Sequence, residues 1–259
     1  MQLGIFGGSF NPFHNGHLAA LNAFRTHLNL DRVLLVPTCR SFYKDGCAMA
    51  SFDERLAMCR AAVRDLPWAE VSDVERAAPR GMCTCDMLAR IRNEHPNAKL
   101  FFLLGSDVYP RVPLWVGLER IAALAELGVM LRQEESEAPS AGSAAETFVP
   151  AGACAPAAGG ADIPEDLAGT AALLRARGLA THFVPMGPAV SSTEVRKRLR
   201  QGMSAADLVP AAVLDLLRRR GLYTHDTEED RQTLLTGPEL ARHYLARLAC
   251  PPQVRPRPA

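Results

Sequence analysis

Apolar and polar positions along the chain separate short buried strands from amphipathic helices. QLGIF is a short apolar run stopped by Gly7 and Gly8, the pattern of a buried strand entering a tight loop. From Gly16 onward Leu18, Leu21, Phe24 and Leu28 recur at helical spacing. DRVLLVPT then predicts a second strand, Val33 to Val36, broken by Pro37. Strand, loop, helix and strand within the first 36 residues make one βαβ unit, which requires a parallel pair.

The alternation continues. Ser51 to Leu66 reads as a helix, with Ser51 and Glu54 at capping-box spacing. WAEVSDVE predicts a strand, and Thr84 to His95 a helix ended before Pro96. Leu100 to Leu104 is five apolar residues in a row closed by Gly105, as in a central strand buried on both faces. Leu118 to Ala125 predicts a short helix and LGVMLR a further strand. A helix from Leu167 to Arg177 and a strand THFVPM follow. Two helices come last, in SSTEVRKRLRQG and in LVPAAVLDLLRRRGLY, the latter stopped by Gly221. The expected class is α/β, an open and mostly parallel sheet with helices on both faces.

Composition changes this picture in one place. Residues 133–164 are crowded with Ala, Gly, Pro, Ser and Glu, and predict a low-complexity insertion. The organisation is thus one domain over residues 1–223 carrying that insertion. An extension over 224–259 follows, weakly helical and then disordered in PPQVRPRPA. Of the 259 residues 48% are hydrophobic and 22% charged, enough for an ordinary core. The net charge of +1, from 29 basic and 28 acidic side chains, argues against a nucleic-acid coat protein. No apolar run reaches membrane-span length, and the N-terminus lacks a signal-peptide pattern. The seven cysteines are odd in number and contain no CxxC pair, so reduced thiols in a cytoplasmic protein are expected.

Candidate chemistry sits in two places. GGSFNPFHNGH, Gly7 to His17, joins the first strand to the first helix. Glycines that let a ligand approach, plus the free amides of a helix start, make an anion site whose usual occupant is phosphate. His14 and His17 are three apart and can point the same way, donating to phosphate oxygens as charge builds up. The plainer alternative has one histidine capping the turn and the other packing. No third ligand accompanies them, so a metal is not expected there. GxxxxGK[ST] and GxGxxG are both absent, which removes ordinary ATPase and dehydrogenase readings. The second place is SSTEVRKR, Ser191 to Arg198, where hydroxyls at a helix start precede Arg196, Lys197 and Arg198. It reads as a second polyphosphate clamp or as a solvated basic helix.

Together the two motifs resemble the H-x-G-H and S-[ST]-T-x-[IV]-R signatures of the nucleotidylyltransferase superfamily. Within it the chain resembles the bacterial nicotinate mononucleotide adenylyltransferases. SFDERLAM, TCDML, LLGSD with downstream Trp115, and the closing Gly-Leu-Tyr extend the likeness over about Met1 to Tyr223. The resemblance implies a Rossmann-like nucleotidylyltransferase fold and adenylyl transfer from ATP to nicotinate mononucleotide, with magnesium carried on the phosphates. By the same resemblance His14, His17 and Arg196 would be catalytic. Gly7, Gly8, Ser9, Phe10, Gly105, Asp107, Ser192 and Thr193 would join them around ATP. Lys44, Thr84, Trp115 and Arg132 would face the mononucleotide. ATP and the mononucleotide would be the partners, with no nucleic acid and no membrane, and a homo-oligomer is compatible. The chain departs from the family where P-P-H-K is common and it has Ser41 to Lys44, and at Cys83, where an aromatic residue is common. Both departures fall on the pyridine side and bear on acid against amide preference. Pantetheine-phosphate adenylyltransferases share the H-x-G-H chemistry but are shorter and lack the T-x-D-x-L and Gly-Leu-Tyr patterns. A non-catalytic nucleotide-binding module is the reading from a different class, and intact His14, His17 and Arg196 argue against it.

Overall fold

The computed structural model describes residues 1–39, 50–78, 82–132, 163–186 and 190–224. Six strands form one sheet: β1 (Gln2–Gly8), β2 (Arg32–Pro37), β3 (Ala69–Val71), β4 (Lys99–Gly105), β5 (Ala125–Arg132) and β6 (Thr181–Met186). Their order is β3-β2-β1-β4-β5-β6 and every pair is parallel. The helices are α1 (Asn15–His27), α2 (Phe52–Val63), α3 (Thr84–Glu94), α4 (Leu118–Leu124), α5 (Glu165–Ala176), α6 (Ser192–Arg200) and α7 (Ala211–Arg220).

The period of two along each strand decides which core a side chain enters. On β4, Leu100, Phe102 and Leu104 join Leu3, Ile5, Leu127 and Val129 beneath α3, α4 and α5. Phe101 and Leu103 point the other way, toward Phe24 of α1, Met58 of α2, Val195 of α6 and Leu217 of α7. Both faces of the sheet are therefore covered, as the five-residue apolar run of β4 requires.

Most expected elements are present within a residue or two. Ser51 and Glu54 form the full reciprocal box at the start of α2. At α6 the Ser191 side chain accepts from the Glu194 amide, which is one half of such a box. WAEVSDVE pairs only over Ala69–Val71, and Val74–Ala77 closes into a 3-10 turn. Glu75 explains that break. Its carboxylate is buried and accepts from the Cys39 amide, a contact a continuing exposed strand would not make. The insertion and the tail lie outside the described residues, apart from Ile163, Pro164 and Thr224.

Strand order reverses direction at the boundary between β1 and β4. Chain leaving β1 crosses one way to β2, and chain leaving β4 crosses the other way to β5. The loops after these two strands therefore diverge and open a crevice at the carboxyl edge of the sheet, where ligands of such folds bind. No helix among the described residues is long and apolar enough to cross a membrane.

Candidate active site

The loop after β1 is built on aromatic packing. Phe10 holds a left-handed backbone at φ 45, a conformation costly for a residue with a side chain. Burial holds it there: the ring is 1% exposed and packs edge-on against Phe6, with Phe13 and His17 at centroid distances of 5.7 and 5.0 Å. A Cβ on Gly8 would stand 3.1 Å from the Phe10 ring, and one on Gly7 would stand 3.2 Å from Phe102. These two glycines make room for rings, a reason additional to the close ligand approach that their pattern suggested.

His14 is the N-cap of α1 and His17 its third residue, and the two rings cap the same turn reciprocally. The His17 amide donates to Nδ1 of His14 at 3.3 Å, and the His14 amide donates to Nδ1 of His17 at 3.2 Å. The rings stack with centroids 3.6 Å apart. An imidazole that accepts at Nδ1 carries its proton on Nε2. This hydrogen-bond pattern therefore assigns both histidines the Nε2–H tautomer, with two donors at a helix N-terminus. Both rings take the capping role, which the sequence alternative gave to one of them. Gly16 lies beneath it: a Cβ there would meet Nδ1 of His14 at 3.0 Å and the Val190 carbonyl at 3.1 Å.

The second motif docks directly on the first. Ser192 Oγ donates to the Pro12 carbonyl at 3.0 Å. One guanidinium nitrogen of Arg196 donates to the Asn11 carbonyl at 2.7 Å and another to Thr193 Oγ1 at 3.3 Å. The Nε of Arg196 is buried with no hydrogen-bond partner among the described residues. The starts of α1 and α6 thus converge on one loop, where the imidazole, hydroxyl and guanidinium donors can share one polyphosphate.

The remaining candidates follow the carboxyl ends of other strands. Gly105 ends β4 and accepts from the Val108 amide, which folds Ser106 and Asp107 into a turn at the crevice. Trp115 packs edge-on against Phe102 at 5.7 Å, and through that ring reaches Gly7. Its indole N–H is buried with no hydrogen-bond partner among the described residues. Thr84 begins α3, whose Cys85 thiol lies under Gly117 beside Trp115. Arg132 ends β5. Lys44 lies outside the described residues.

Residues 5–198 match the family model described as cytidylyltransferase-like. A protein of Desulfatibacillum aliphaticivorans named "Probable nicotinate-nucleotide adenylyltransferase" is 33% identical over 223 residues, spanning 86% of this chain and 100% of its own. A protein of the same name in Thermus thermophilus is 33% identical over 227 residues, with 86% and 100% spanned. The chain belongs to the cytidylyltransferase-like family, on its nicotinate-nucleotide adenylyltransferase branch. The solved Plasmodium falciparum nicotinic acid mononucleotide adenylyltransferase complexed with NaAD superposes with a TM-score of 0.60. Its identity is 18%, with 87% of this chain and 98% of that chain covered, and the likeness is one of fold.

In this adenylyltransferase-family chain four further residues hold the crevice together, and none was singled out as a site residue from the sequence. Arg55 is 1% exposed. It donates to the carbonyls of Ser9 at 2.8 Å, Thr38 at 2.7 Å, Ala50 at 3.0 Å and Cys39 at 3.4 Å. It thus ties the loops after β1 and β2 to the start of α2. Glu75 anchors the Cys39 amide at 2.7 Å, and burial pushes its carboxyl up to about 7 despite that bond and the nearby Arg55. Asn11 Oδ1 accepts from the Ala50 amide at 3.1 Å and from the Tyr223 hydroxyl. Burial raises the Tyr223 pKa, so the hydroxyl keeps its proton and donates. The signal for Arg55 was present: α2 buries Leu56, Cys59 and Val63, and an arginine one turn before Cys59 falls on the same inward face. Tyr223 closes the Gly-Leu-Tyr that extends the family likeness, whereas Glu75 carried no comparable pattern.

Proposed function

We propose that this protein transfers the adenylyl group of ATP to the 5′-phosphate of nicotinate mononucleotide, giving the deamido dinucleotide and pyrophosphate in NAD biosynthesis. The observation that carries this reading is the docking of the α6 start on the α1 loop, which gathers His14, His17, Ser192, Thr193 and Arg196 around one point at the switch in strand order. The mononucleotide phosphate attacks the α-phosphorus in line and pyrophosphate leaves, so no protein nucleophile is required. The protein contributes positioning and charge stabilisation.

His14 and His17 donate from Nε2 to the triphosphate, and His17 strengthens its bond as charge develops on the α-phosphoryl oxygens. Ser192, Thr193 and Arg196 hold the departing pyrophosphate, with the spare Nε of Arg196 as a further donor. Gly7, Gly8, Ser9 and Phe10 shape the nucleotide floor, and Gly105 and Asp107 take the ribose side. Thr84 and Trp115 face the pyridine, with Lys44 and Arg132 toward the mononucleotide phosphate. Magnesium enters with ATP. Imidazole N–H groups and a guanidinium suit phosphate oxygens and offer a hard cation no lone pair, so the phosphates hold it. Free thiols at Cys39, Cys59, Cys83 and Cys85 fit work in the cytoplasm.

The test is pyrophosphate release with ATP and magnesium, offering nicotinate mononucleotide, its amide and phosphopantetheine in parallel. Preference for the first is expected. Preference for phosphopantetheine overturns the reading, and equal rates for acid and amide correct its specificity alone.

A further inference from the structure

The start of α3 carries a cluster that the phosphate chemistry does not use. Sγ of Cys83 lies 2.9 Å from Sγ of Cys85 and 3.1 Å from Oδ2 of Asp86. All three ligand atoms fall within 4.8 Å of one another. The sequence has no CxxC pair; the spacing here is C-x-C-D, and the first helical turn after the Cys83 cap folds the two thiols together. Cys85 is buried, Cys83 half-buried and Asp86 exposed, so one side of the cluster is walled by protein and the other meets solvent. Arg120 donates to the other oxygen of Asp86 at 2.8 Å, which orients the carboxylate from behind and leaves Oδ2 toward the thiols. Supported carboxylates of this kind are what well-formed metal sites use.

The geometry points to a binding site for a thiophilic divalent cation, zinc by its ligand chemistry, held by Cys83, Cys85 and Asp86 with solvent in the fourth position. Two thiolates on a tetrahedral zinc, each at about 2.3 Å, stand about 3.8 Å apart, and a thiolate and a carboxylate oxygen slightly less. The Cys83–Cys85 and Cys83–Asp86 pairs therefore have to open by less than about 1 Å, within the reach of small side-chain rotations. Binding replaces two S–H protons with two zinc–sulfur bonds, and both protons leave to solvent. Two sulfurs and one oxygen favour zinc or cadmium over magnesium or calcium, which take oxygen ligands. Thr84 stands between the two cysteines at the first position of α3. An ion here would clamp the turn that, on the proposed function, faces the pyridine. Its consequence for the reaction rests on that reading, and the binding itself does not.

The experiment titrates the full-length reduced protein with cadmium and zinc. Cadmium binding is followed by thiolate-to-metal charge-transfer absorption, and zinc by competition with a chromophoric chelator. One equivalent with charge transfer is expected. Cys83→Ser with Cys85→Ser should abolish the absorption. It should also weaken zinc binding beyond the roughly 10–100-fold that loss of a supporting partner costs. Asp86→Asn should weaken zinc with the absorption retained. Unchanged affinity in the double serine variant would assign the metal to Cys39, Cys47, Cys59, Cys154 or Cys250 and overturn the site, as would absence of uptake by wild type. Kinetics separate the two readings. Zinc should raise the KM for nicotinate mononucleotide and leave that for ATP. A bound ion that moves neither KM would remove its tie to the pyridine subsite, while absence of nicotinate mononucleotide turnover with magnesium present and zinc withheld would strike the proposed function alone.

Discussion

Replacing Glu75 with Gln should remove one identifiable component of the pH dependence of folding. The carboxyl is 5% exposed, and burial outweighs both the Cys39 amide bond and Arg55, raising its pKa from the usual 4.5 to about 7. Between those values the unfolded chain has released this proton and the folded chain still holds it. Stability attributable to the group therefore falls as pH rises from about 4.5 to about 7, and is level outside that window. A rise from 4.5 to about 7 corresponds to about 3 kcal/mol. Glutamine keeps the shape and can still accept from the Cys39 amide, but it never ionises. The variant should match wild type near pH 4.5 and exceed it by up to about 3 kcal/mol at pH 7.5. Urea unfolding at pH 4.5, 5.5, 6.5 and 7.5, followed by the fluorescence of Trp68 and Trp115, gives the difference curve. A difference constant to within about 1 kcal/mol across that range would refute the argument, since it would mean that burial does not hold the proton on Glu75.

Three further outcomes are expected. His17→Ala should lower turnover about 100-fold or more with the far-ultraviolet spectrum unchanged, since one preorganised donor is worth about 10²–10³ in rate; unaltered turnover would sink the mechanism. Gly16→Ala adds a methyl group against the His14 ring and the Val190 carbonyl, both within 3.1 Å. It should cut kcat about tenfold or more by displacing the histidine pair. The melting temperature should stay close to wild type, since alanine favours the helix by about 0.5–1 kcal/mol; unaltered kcat would show that the ring has room to yield. Tyr223→Phe removes the hydroxyl donated to Asn11 and should cost about 1 kcal/mol in denaturant unfolding, which an unmoved midpoint would contradict.

Much of the fold was legible because strands and helices bury faces at fixed periods. The apolar run of β4 announced a central strand, and the serine, glutamate and glycine signals marked helix ends within a residue or two. β3 was overestimated because Val74 and Glu75 continue an alternating pattern, and only the contact to Cys39 shows that the chain has turned inward. The two motifs proposed to bind phosphate were legible one at a time, because each is a local signal at a helix start.

What the sequence determined by itself was therefore local: periods, caps, the glycine-rich turn and the likeness of ordered motifs to a family. The tertiary structure decided what those signals do together. Strand order placed the carboxyl ends of β1 and β4 at one crevice, and packing laid the α6 start on the Asn11–Pro12 backbone. Reciprocal capping chose the histidine tautomer, and burial turned Arg55 from a helix residue into the tie between the loops after β1 and β2 and the start of α2. Each of these depends on groups brought together from distant positions or on the exact pose of a side chain. Local propensity cannot carry that information, because hydrogen bonding and desolvation act through distances in space.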